Sequence, residues 1–96
     1  MITQYDRNGF SMEFVNGYSI SVIWNTGSYS DNRADNMPTS STVEVGIFLT
    51  ADGTSKFIRP DYRFKPEESN DVIPYVDMEE LAKLIAWTQG LRSVTP

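Results

Sequence analysis

Apolar and polar residues alternate with period two over Phe10-Ser11-Met12-Glu13-Phe14, the pattern of a half-buried strand. The alternation resumes at Tyr18 and puts Tyr18, Ile20, Val22 and Trp24 on one face. Val15-Asn16-Gly17 lies between the two runs, and Asn-Gly is a strong hairpin signal. A two-residue turn at Asn16-Gly17 would oppose Phe14 to Ser19 and mix the faces. A three-residue loop over Val15 to Gly17 opposes Phe14 to Tyr18, Met12 to Ile20 and Phe10 to Val22, which gives one apolar side. The second register is therefore expected, with Gly17 in the left-handed region forming a bulge.

The pattern recurs over Thr42 to Thr50, where Val43, Val45, Ile47 and Leu49 share a face. Ala51-Asp52-Gly53 turns the chain, and Thr54 to Arg59 returns. A three-residue loop there opposes Thr50 to Thr54 and Ile47 to Phe57. The period then changes. Met78, Leu81, Leu84, Ile85 and Thr88 make a helical stripe. Asp77 is its N-cap candidate, with Glu80 at capping-box spacing, Val76 placed to staple onto Leu81, and Gly90 as its end. Pro74 prevents an earlier start.

These elements predict one α+β domain over residues 1–96: a four-stranded antiparallel sheet of two hairpins, largely a meander, with one C-terminal helix packed on one face. Residues 1–9 are expected as an N-terminal extension, 10–59 as the sheet with a long loop over 26–41, 60–76 as a connection, and 77–90 as the helix. Two connections of this length are unusual in so small a domain and point to loops that carry function or move.

Composition removes several classes. The chain has no cysteine and no histidine, hence no disulfide framework, no thiolate site and no Ser-His or Cys-His arrangement. Its net charge of −5 disfavours bulk attraction to nucleic acid or an anionic membrane. No apolar run reaches the ~20 residues of a membrane span. Met1 to Arg7 lacks the basic start and apolar centre of a signal peptide. A cytoplasmic setting is expected, and no cofactor or metal.

Four features carry candidate chemistry. The polar segment Thr26 to Asn36 offers oxygens at Asp31, Asn32, Asp35 and Asn36, but without calcium-loop spacing. Its better use is a partner-binding loop with Tyr29, Asp31 and Arg33, since Tyr and Arg are favoured anchors. The stretch from Lys56 to Lys65 interleaves aromatics with four of the eight basic residues. Lys56, Arg59, Tyr62 and Arg63 form an alternative ligand or nucleotide site there. A cation-protected edge strand followed by a solvated loop explains the same residues. Glu67, Glu68, Asp71, Asp77, Glu79 and Glu80 form an acidic tract that either imitates phosphates before a basic partner or simply favours the helix dipole. Trp87 lies off the helical stripe and is either a contact residue or packed at the sheet's edge. Glu13 and Glu44 are carboxylates on polar strand faces, where charge is expected without acid/base work.

Phe14-Val15-Asn16-Gly17-Tyr18-Ser19-Ile20-Ser21-Val22, the following Gly27-Ser28-Tyr29-Ser30-Asp31-Asn32 and the late Pro74-Tyr75-Val76-Asp77-Met78-Glu79-Glu80-Leu81 together resemble small uncharacterised accessory proteins of tailed bacteriophages. The resemblance implies action in the cytoplasm of a bacterial host and transfers no catalytic residues. The expected function is that of a non-enzymatic binding protein that engages a host protein, such as a defence or nucleic-acid enzyme, and inhibits it. Alternatives are a small-ligand or nucleotide-binding module and a minor structural or assembly protein acting as a homo-oligomer.

Overall fold

The computed structural model describes residues 1–5, 8–35, 37–50, 56–58 and 72–93. They form strands β1 (Ile2–Gln4), β2 (Gly9–Glu13), β3 (Tyr18–Ile23), β4 (Val43–Leu49), β5 (Lys56–Phe57) and β6 (Ile73–Val76), then helix α1 (Met78–Gln89). The architecture is α+β, with an antiparallel sheet and one C-terminal helix. The sheet is larger than four strands. β1 to β5 lie side by side in chain order, and β6 pairs with β4 as well.

The first hairpin has the register that the apolar pattern requires. Phe10 opposes Val22 and Met12 opposes Ile20. Phe14 N–H donates to Tyr18 O at 2.9 Å, and Gly17 has a φ of 91°. β3 carries the row onward, setting Ile20 against Ile47 and Val22 against Val45. One sheet face is therefore continuously apolar. Ile20, Val22, Val43, Val45 and Ile47 are buried on it, joined by Ile73 and Val76 of β6 and Leu84 of α1.

The second hairpin departs from expectation by one residue. Phe57 opposes Phe48, not Ile47, and Lys56 opposes Leu49. A one-residue slip moves every side chain of a strand to the other face. Phe57 thus joins Phe48 on the face away from the helix, with ring centroids 4.5 Å apart. Gly46 makes the arrangement fit: a Cβ there would lie 3.3 Å from the Phe48 ring and 3.4 Å from that of Phe57.

Two further expectations are corrected. The N-terminal extension contains β1, which pairs with β2 and is fastened where the Met1 amine donates to Glu13 O at 3.0 Å. The connection over 60–76 contains β6 at its end. Ile58 N–H donates to Ile47 O, and Ile73 opposes Val45. β5 and β6 therefore share one edge of β4, and the chain leaves that edge and rejoins it almost where it left. A bulge between Val43 and Val45 accommodates the return.

β6 runs directly into α1. Asp77 is the N-cap, and its carboxylate accepts from Glu80 N–H at 2.8 Å. Leu84 and Thr88 face the sheet and are buried, while Leu81 and Ile85 are half-buried. Met78, placed on the same stripe, is 46 % exposed. Gly90 closes the helix in a right-handed conformation, φ −85°, so it does not act as a left-handed cap. Among the described residues, no helix is long and apolar enough to cross a membrane.

Candidate functional site

Among its described residues, the segment between β3 and β4 is organised by buried polar side chains. Asn32 is its hub. Its amide donates to Trp24 O and Met37 O, each at 2.7 Å, and its carbonyl accepts from Met37 N–H at 2.8 Å. Ser28 donates to Asn25 O at 2.6 Å and bonds Ser30, whose hydroxyl accepts from Asn32 N–H. Trp24 Nε1 donates to Pro38 O at 3.0 Å, and Asn8 donates to Met37 O at 2.6 Å. Among the described residues, no buried side-chain nitrogen or oxygen lacks a partner. A network completed in this way confers rigidity, because each member is costly to expose unpaired. Asn32→Ala is expected to cost about 1–2 kcal/mol. Amide hydrogen exchange should show the loss concentrated between Trp24 and Pro38, leaving α1 protected.

This loop presents the partner-binding residues in different ways. Tyr29 is 44 % exposed. Its N–H donates to the Glu44 carboxylate at 3.1 Å, and its carbonyl accepts from Tyr75 N–H at 2.9 Å. Arg33 is exposed, but its side chain folds back on its own loop: the guanidinium donates to Gly27 O at 2.9 Å and lies 4.7 Å from the Tyr29 ring centroid. It braces the loop and the ring. Asp31 is exposed and accepts from the Ser41 hydroxyl, while its N–H bonds Thr42 Oγ1 at 2.8 Å. Trp87 is half-buried and packs against the core. Glu67, Glu68, Arg59, Tyr62 and Arg63 lie outside the described residues, as does the side chain of Lys56, whose backbone forms β5.

Glu13 and Glu44 are not brought together. Glu13 pairs with Ser19 at one end of β3 and Glu44 with Ile23 at the other. Among the described residues, no three carboxylates cluster as a metal site would require.

Three features escaped the sequence reading. The first is Tyr75, 49 % exposed with a φ of 49°. The second is an apolar groove of about 290 Å³ beside the N-terminal end of α1. The helix packs chiefly on β3, so the β2 side of the apolar face stays open. Phe10 and Trp24 form one wall, ring edge to ring face at 6.4 Å. Met78 and Leu81 form the other, with Val22 and Val43 below and Pro38 to Ser40 at the rim. The groove continues past Phe10 and Trp24 to Ile2 and Gln4, and past Thr39 and Ser40 to Asp31 and Asp35. The third is Asn16, whose buried amide caps the helix's C-terminal end.

No protein-family model matches the chain, and neither the characterised proteins nor the solved structures contain a significant match.

Proposed function

We propose that this chain is a protein-binding module that acts by engaging another protein through the surface bearing Tyr29 and Tyr75. The observation that carries the reading is Tyr75 itself. A left-handed conformation costs a non-glycine residue roughly 1–2 kcal/mol, and it is tolerated most readily by Gly or Asn. Here a half-exposed Tyr occupies it, hydrogen-bonded through its N–H to the backbone of a second exposed Tyr. Strain at an exposed aromatic serves presentation better than it serves packing. Tyr combines large contact area with few rotatable bonds, and a braced loop lowers the ordering cost of association. The resemblance to phage accessory proteins supplies the setting: a bacterial host protein as partner, in the host cytoplasm, with inhibition as the consequence.

Two measurements test this. Tyr75→Gly should leave stability unchanged or raise it by up to about 1 kcal/mol in urea unfolding, because strain is relieved. A loss beyond about 1 kcal/mol would make Tyr75 a structural residue instead. In capture from bacterial lysate, the wild type should retain one stoichiometric protein that a folded Tyr29→Ala/Tyr75→Gly variant releases. Equal retention by both would remove these residues from the interface. A self-assembled species with no partner would favour the assembly role.

A further inference from the structure

The groove beside α1 has its own chemistry, and neither Tyr29 nor Tyr75 lines it. Its floor and walls are apolar. At about 290 Å³ it falls at or below the small end of pockets that enclose a drug-sized ligand. It has room for one or two anchoring side chains, not for a whole cofactor. Its surroundings are acidic. Asp31 and Asp35 line the adjoining depression across Thr39 and Ser40, while Asp77 and Glu79 flank Met78 in the chain. Among the described residues, no Lys or Arg lines the groove or its two extensions.

From this charge complementarity we infer that the groove is a docking site for a short basic amphipathic segment of another protein. Its aliphatic or aromatic side chains enter between Trp24 and Leu81, and its Lys or Arg residues reach across Thr39 and Ser40 to Asp31 and Asp35 in the adjoining depression. Apolar side chains inserted at helical spacing are a recurrent way of filling such grooves, and Met lining such as Met78 adapts to the side chain that arrives. Opposite charge beside the groove sets partner choice and encounter rate. An acidic amphipathic segment would meet repulsion at the same carboxylates. The inference stands apart from the tyrosine surface and survives the failure of that reading.

The test uses the full chain and two synthetic peptides of about fourteen residues, with Leu at helical spacing and either Lys or Glu elsewhere. Binding is read by calorimetry and by Trp fluorescence. The Leu/Lys peptide should bind, and its affinity should fall about tenfold or more between ~0.05 and ~0.5 M salt. The Leu/Glu peptide should not bind. Met78→Arg places a like charge in the groove at a half-exposed position and should weaken binding at least about tenfold. Val15→Arg adds the same charge at the exposed hairpin tip and should leave affinity unchanged. Asp35→Asn should reduce the salt dependence. Binding equally strong to Met78→Arg would overturn the inference in favour of unspecific charge attraction. Failure of the Leu/Lys peptide to bind would overturn it as well. So would a dimer that Met78→Arg dissolves while the peptide does not bind, since a second copy would then be the occupant.

Discussion

Replacing Asn16 by Asp should be among the most damaging single changes in this chain, costing about 3–5 kcal/mol, with Asn16→Ala at about 2–3. Asn16 is 7 % exposed and closes the far end of α1 from the tip of the first hairpin. Its amide lies 2.9 Å from Thr88 O, 3.2 Å from Gln89 O and 3.1 Å from Leu91 O. Its carbonyl accepts from Tyr18 N–H at 3.1 Å, which also fixes the turn. The last turn of α1 holds no basic residue, so this amide is the side-chain donor that meets the helix's terminal carbonyls. Alanine removes the amide from Gln89 O and Leu91 O, while Thr88 O keeps the long bond from Leu91 N–H at 3.3 Å. A carboxylate does so too, and adds a negative charge at the negative end of the dipole. Only its protonated form can donate, so the introduced group's pKa is higher folded than unfolded. The folded variant then binds more protons than the unfolded one over that interval, so the penalty is complete at neutral pH and shrinks as pH falls. Urea unfolding of both variants across pH checks the magnitude and the sign. A loss under about 1 kcal/mol for Asn16→Ala would show that water replaces the amide without cost.

The same residue shows how far the sequence was legible. Asn16-Gly17 identifies the hairpin, and face matching recovers its register, because each strand alternates cleanly. That pattern carries no sign of what Asn16 touches 72 residues later. The second hairpin follows the same logic less well. Phe57 fits an apolar row with Ile47 on paper, but the aromatic pair with Phe48 wins on the opposite face. Gly46, a glycine inside a strand, was the available signal that something large lies over that position. β1 and β6 left little trace. Ile2–Gln4 is short and exposed on every residue, and Ile73–Val76 contains Pro74, which reads as a break unless the strand is an edge.

The candidate surfaces were legible in composition more than in geometry. The polar segment after Trp24 stood out, but its order depends on which Asn and Ser side chains turn inward. Arg33 reads as an interface anchor, yet its guanidinium is used by the loop's own carbonyls. Tyr75 could not be singled out, because a positive φ is a backbone property that no residue type but Gly and Asn advertises. The groove arises from what α1 fails to cover, and coverage depends on how a helix sits on its sheet.

Leu84→Ala should lower stability by about 3–4 kcal/mol, through lost transfer energy plus the cavity left behind. Leu84 is fully buried, and it is the α1 side chain that enters the cluster of Ile20, Val22, Val45 and Ile47. Thr88 is buried one turn later, with its hydroxyl donating to Leu84 O at 2.7 Å, so it adds little apolar area of its own. Leu81, Ile85 and Trp87 border that cluster and stay partly wet. One side chain therefore carries much of the adhesion between helix and sheet. For a domain whose total stability is of order 5–15 kcal/mol, the loss should appear as a fall of roughly 12 °C or more in Tm, with an unchanged urea m-value if unfolding stays two-state. Leu84→Met, close in volume, should cost less than about 1.5 kcal/mol. Met78 and Leu81, the groove's far wall, ride on the same helix and depend on the same contact for their placement. Peptide binding by Leu84→Ala should accordingly be lost on heating at the variant's lowered Tm. A loss of stability near 1 kcal/mol would instead mean that α1 is held by its two ends, Asp77 and Asn16, more than by its middle.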